Sequence, residues 1–221
     1  MVFPHWWKNL KDKKKGEIPP NIAALFHHLC IVPIGFYYHY RVLFGDGRSI
    51  PSEYYQILCS FIIGYFIADS LFYAIPEAWY NKKYEFLFHH FLGIWINAAV
   101  AARHHQITPD LCFFSTSLII AEVSSIFFIT GSFLRCIPSY SKSKWIDYLN
   151  YLFAVTFFLT RNVNLTSHAI MVWDDFDILG KYFKWGAIAP VLVLQYIWLY
   201  KILLSAFVGT KGAVLTKGKE D

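Results

Sequence analysis

Two adjacent histidines, His89 and His90, interrupt an otherwise apolar run, FLFHHFLG. An imidazole with a pKa near ~6.5 gives or takes a proton close to neutral pH. Carboxylates able to orient such a ring occur in other apolar runs, at Asp69 and Glu122. A guanidinium and a third imidazole follow at Arg161 and His168, accompanied by Asn97, Asn162, Asn164, Ser124 and Ser125. Ionisable groups at membrane depth are expensive, face the interior, and mark function or pairing. The set suits a general base at His89 or His90 oriented by Asp69 or Glu122. It equally suits Arg161 neutralising Asp69 or Glu122 to hold helices together. His89, His90, Asp69 and Glu122 are also metal-ligand types. They come from three helices with no HxxxH or HxxE spacing, so neither a metal nor another cofactor is expected.

Helical spacing collects these residues into stripes. His90, Gly93 and Asn97 share one face. Ser115, Leu118, Glu122 and Ser125 share another, and Arg161, Asn164 and His168 a third. Each stripe is polar on one side of a lipid-like helix, so the helices should turn these faces toward one another. His27, His28, His39, His104 and His105 fall at or near helix ends and loops, and are expected at the interface.

The elements that must carry these stripes are long apolar segments. Of 221 residues, 56% are hydrophobic, 20% aromatic and only 16% charged. Soluble domains average about a quarter charged residues. A spanning helix needs ~20 apolar residues. Six segments meet or approach that length: 22–44, 53–75 (ending at Pro76), 86–102, 111–130, 148–173 and 185–208. The predicted fold is an all-α polytopic bundle of about six transmembrane helices. Residues 1–20 read as a basic tail, 21–208 as the membrane domain and 209–221 as a second tail. Segments 2 to 5 carry the polar interior. Segments 1 and 6 read as packing and boundary.

Cys30, Cys59, Cys112 and Cys136 show no CxxC or metal spacing, and read as small apolar fillers. Basic residues flank apolar runs instead of forming one surface, which argues against nucleic-acid binding. Lysine and arginine are denser on the side holding the N-terminal lysines, Lys82, Lys83, Arg135, Lys142, Lys144 and the C-terminal lysines. The opposite side holds Arg41, Arg48, Arg103, Lys181 and Lys184. Both termini are therefore expected in the cytosol. Lys217 and Lys219 sit fifth and third from the end, resembling a dilysine signal for return to the endoplasmic reticulum. Asn164-Leu165-Thr166 fits the glycosylation pattern but lies inside an apolar run.

The stretches GYFIADSLFY, YEFLFHHFLG, LIIAEVSSIFF and FFLTRNVN, in this order, resemble the TLC domain, the membrane family that includes the ceramide synthases. The resemblance covers about residues 53–208. It implies the endoplasmic reticulum or a related membrane, and a lipid-related role. In the synthases the two histidines, with nearby aspartates, serve the joining of a fatty acyl-CoA to a long-chain base. Here only His89 and His90 match. The synthase signature continues with a His-Asp pair, whereas this chain has AARHHQITPDLCFF and no His-Asp anywhere. The chain is more similar to the small, non-synthase TLC-domain proteins.

Three readings follow. The first is a protein of lipid homeostasis that binds or handles a membrane lipid, fatty acyl or sphingolipid, in its polar interior. The second is an acyl-CoA-dependent N-acyltransferase. The third is a cargo receptor or transporter without catalysis. The orientation is directly testable. Epitope tags at either terminus should be digested by protease added to intact microsomes, and Asn164 should carry no glycan. Protection of either tag would overturn the topology.

Overall fold

The computed structural model describes residues 12–44, 52–106, 108–180 and 182–217. The aromatic and basic start of the tail and residues 218–221 of the dilysine-like end lie outside the described residues. No strand occurs among the described residues.

Helix α1 spans Asp12–Phe44 and passes through Pro19, Pro20 and Pro33 without ending. It therefore begins inside the segment read as a tail. Packing explains the extension: Ile18 is 3% exposed and sits against Cys136 and Phe133. Helix α2 joins Ser52–Asp69, a π-helical turn Ser70–Ala74 and Ile75–Asn81. The sequence placed its end at Pro76. Instead the helix continues through Pro76, which follows directly on the π turn, where the Ile75 N–H donates to the Ser70 carbonyl. The αL residue Lys82 (φ 58°) caps the helix. Asp69 is accordingly deeper than the sequence implied, roughly 18 Å from this end instead of ~9 Å. Helix α3 is Tyr84–Ala102. Helix α4 consists of Pro109–Ala121 and Val123–Cys136, broken at Glu122. Helix α5 joins Lys144–Phe157, a π turn Phe158–Asn164 and Leu165–Met171. Helix α6 opens with the π turn Lys184–Ile188 and continues as Ala189–Lys217.

Among the described residues, five helices are long and apolar enough to cross a membrane: Glu17–Phe44, Gln56–Asn81, Tyr84–Ala102, Asp110–Cys136 and Lys184–Ser205. Helix α5 has the length, on the order of 40 Å, but its second half holds Arg161, Asn162, Asn164 and His168. Neighbours bury the most costly part: Arg161 is 4% and Asn162 5% exposed. The bundle is thus held by what α5 needs covered.

Helix α2 packs along α3, α1 against both halves of α4, and the second half of α4 against α5. One apolar cluster joins Leu92 and Ile96 of α3 to Leu165 and Ala169 of α5 and Ile188 of α6. A second joins Ile31 of α1, Leu58 and Ile62 of α2, and Ile119 of α4. Large apolar side chains such as Phe72, Tyr151 and Ile197 remain exposed on the outer surface, as lipid contact requires.

Gly35 lets α1 approach α4. A Cβ there would stand 2.6 Å from Ile119 Cγ2 and 3.0 Å from its Cβ. Gly35→Ala should lower stability by ~1–3 kcal/mol through overpacking. Gly64→Ala, where a Cβ meets nothing within 4 Å, should be neutral or stabilising. Thermal unfolding in detergent separates the two, and equal behaviour would contradict the packing.

Candidate functional site

The three charged interior residues each occupy an irregularity in their helix. Asp69 leads into the π turn of α2, Arg161 lies within the π turn of α5, and Glu122 occupies the break in α4. Such irregularities free backbone groups and re-aim side chains. At the α4 break Ser124 Oγ donates to the Ala121 carbonyl at 3.0 Å, and Thr160 of α5 reaches the same carbonyl at 3.5 Å. Glu122 and Arg161 then meet. Arg161 Nη2 donates to Glu122 Oε2 at 2.9 Å and to Ser125 Oγ at 2.9 Å. Its Nε donates to Ser124 Oγ at 3.0 Å, and its Nη1 to Gln195 Oε1 of α6 at 3.4 Å. Ser125 Oγ donates to Glu122 Oε2 at 2.7 Å, and the guanidinium lies over Phe157 at 5.4 Å. Helices α4, α5 and α6 are joined at one buried ion pair.

The two histidines have different surroundings. His90 Nε2 is 3.3 Å from Asp69 Oδ2, and its Nδ1 is 3.2 Å from Ser70 Oγ. Both nitrogens of His90 are thereby engaged by α2. His89 Nδ1 is buried without a hydrogen-bond partner among the described residues. Its ring meets Trp198 of α6 edge-on, with centroids 5.1 Å apart. Phe66 packs against both rings, at 5.7 Å from His89 and 5.2 Å from His90. Gly93 makes room for it, since a Cβ there would stand 2.6 Å from Phe66 Cε2.

These groups line a partly open cavity of about 270 Å³. Asp69, His89, His90, Glu122 and Arg161 form its polar part. Phe86, Phe128, Phe153, Phe157 and Ile202 form an apolar wall. Lys201 stands at its edge, paired to Glu85 at 2.8 Å. The lining comes from the first part of α1, the last part of α2, the start of α3, the second half of α4, the first half of α5 and the last part of α6. All six lie at the end of the bundle nearest the described termini.

Not every residue singled out from the sequence joins this cavity. Asn97 donates to the Gly93 carbonyl at 2.8 Å and lines a smaller adjoining cavity. His168 is elsewhere, with Nδ1 2.6 Å from Ser117 Oγ and its ring against Phe113. Asn164 Nδ2 is buried and unpartnered among the described residues, and Asn164 lines neither cavity. The stripe Arg161, Asn164 and His168 is divided because the π turn alters the spacing on which it was drawn.

Three expectations are corrected. His27 and His28 lie inside α1, 4% and 6% exposed, instead of at an interface. His39 is half-buried, bonded to Thr116 Oγ1 at 3.0 Å. Helices α1 and α6 are more than boundary, since His28, Trp198 and Lys201 line the main cavity. The signal for His28 in the sequence is the His27–His28 pair, which falls inside the apolar segment 22–44. Gln195, 1% exposed, was legible as an amide deep in an apolar run.

Removing one partner of a buried pair leaves the other charge uncompensated, which costs ~3–5 kcal/mol. Arg161→Met should therefore destabilise by about that much in thermal unfolding, and adding Glu122→Leu should restore a large part of it. Additive losses would show that the pair does not act as a unit.

The TLC domain family profile matches residues 17–204. No curated protein and no solved structure gives a significant match to the chain. The matched region runs from the buried start of α1 to the last part of α6 and takes in every residue of the polar cluster. The chain therefore belongs to the TLC domain family of membrane proteins.

Proposed function

We propose that this protein binds a membrane lipid in the main cavity and acts in lipid homeostasis. The carrying observation is the division of that cavity. A polar part built on Asp69, His89, His90 and the Arg161–Glu122 pair adjoins a wall of phenylalanines. A lipid has the same division between head and chains. The volume, about 270 Å³, is near the ~300 Å³ lower bound for small-molecule sites. It suits a head group with the start of its chains, the remainder extending into the bilayer. The membrane is that of the endoplasmic reticulum or a related compartment, as the resemblance implies. The cavity then opens toward the cytosolic half, by the lysine asymmetry.

Mass spectrometry of lipid retained by the purified protein tests this reading. One lipid class should be enriched over the bulk membrane. Ala24 lines the cavity, so Ala24→Phe should occupy part of it and reduce the retained lipid about tenfold or more. Retention matching bulk composition, unchanged by Ala24→Phe in a folded variant, would sink the proposal.

The Asp69–His90 contact favours a second reading, N-acyl transfer. A histidine would take the proton from an attacking amine. The nitrogen would add to an acyl-CoA thioester, and the C–S bond would break to release CoA thiol. Asp69 would orient the imidazole, as carboxylates do for catalytic histidines. Purified protein given acyl-CoA and a sphingoid base should then form amide, and His90→Ala should abolish it. Absence of amide product from protein that still retains lipid would leave only the first reading.

A further inference from the structure

Behind the main cavity lies a smaller one of about 60 Å³. The two meet at His28, His89, Glu122 and Arg161, and the far wall of the inner chamber carries His27 and Asn97. Charge is balanced at the junction. Arg161 and Glu122 are paired at 2.9 Å, and no other Asp, Glu, Lys or Arg among the described residues lines the chamber.

What remains is a set of ring nitrogens. Nδ1 of His27, of His28 and of His89 are each buried without a hydrogen-bond partner among the described residues. His28 Nδ1 comes to 3.7 Å from Glu122 Oε2, beyond hydrogen-bond range. The rings are fixed in direction. His27 stacks on Tyr65 with centroids 3.7 Å apart and planes 10° apart, and His89 is held edge-on by Trp198. Buried polar atoms in folded proteins find partners in the great majority of cases. Three on the walls of one small chamber therefore point to a ligand group that supplies them. The room, about 60 Å³, fits a group the size of a few waters. A phosphate or carboxylate would introduce a charge that the paired Arg161 and Glu122 do not balance. Lys201, the cation at the outer edge, is already paired with Glu85.

From this geometry we infer that the inner chamber receives a hydroxyl of an uncharged head group, while the rest of that head and the start of its chains lie in the main cavity. A hydroxyl both donates and accepts, so it satisfies imidazole nitrogens in either tautomer. The inference rests on the lipid-binding reading and narrows it to lipids without a charged head.

Two photo-crosslinking, alkyne-tagged probes with identical acyl chains test it: a diacylglycerol and the corresponding phosphatidic acid. On the full chain purified in detergent, the diacylglycerol probe should label at least about tenfold more strongly. Untagged diacylglycerol should compete for that labelling. His28→Phe, which replaces a polar wall by an apolar ring, should bring the ratio of the two probes near one. Asn97→Leu should do the same if His28→Phe fails to fold. Equal labelling by both probes in the wild-type chain overturns the inference and leaves the lipid-binding reading intact. An unchanged preference in a folded variant also overturns it. Labelling by neither probe above that of the heat-denatured chain sinks the lipid-binding reading, and this inference with it.

Discussion

Arg161 cannot shed its charge, because a guanidinium stays protonated in proteins, so a helix carrying it into a bilayer has to bring partners to it. At a helix centre an arginine costs about 2.5–3.5 kcal/mol even on insertion scales. Here Glu122, Ser124 and Ser125 of α4 and Gln195 of α6 surround the guanidinium, and Phe157 covers one face. Much of the bundle follows from that requirement. Helix α4 must break so that Glu122 and the serines point at α5, and α5 must widen into a π turn so that Arg161 reaches them. The same arrangement makes α5 a viable span, since the polar half that weakens it in lipid is the half that is covered.

The cavity is a consequence of the same geometry. A broken α4 and the widened turns of α2 and α5 cannot close against each other as straight helices would. The space between them inherits the polar groups at each irregularity. The histidine pair divides its work across this space. His90 is held by Asp69 and Ser70 and ties α3 to α2. His89, one residue earlier and about 100° around the helix, faces Trp198 and lines both cavities, its Nδ1 without a hydrogen-bond partner among the described residues. Phe66, admitted by Gly93, packs against both rings, which also contact each other with centroids 5.7 Å apart.

Family membership and geometry carry different parts of the functional reading. Membership, with the apolar helices, supplies a multi-pass membrane protein. The cavity supplies the division into head and chain regions that a lipid ligand needs. Lipid binding is the proposal that both support. Acyl transfer needs a further assumption: that a histidine is free to accept a proton while an amine and a thioester lie beside it.

The sequence by itself determined the membrane class, the approximate spans and the identity of the costly interior residues. Those properties are local or compositional, because hydropathy over ~20 residues and a charge in an apolar run need no knowledge of neighbours. It also determined that Asp69, Glu122 and Arg161 would need partners. Tertiary structure decided which partners they found. Arg161 took Glu122, and Asp69 took His90. His168 and Asn164 were separated from Arg161 by a π turn that no periodicity reveals. Tertiary structure also carried α1 back to Asp12 and α2 past Pro76, drawing His27 and His28 inside. Pairing of buried charges depends on distance across helices, and helix ends depend on what packs against them. Neither quantity is written along one chain.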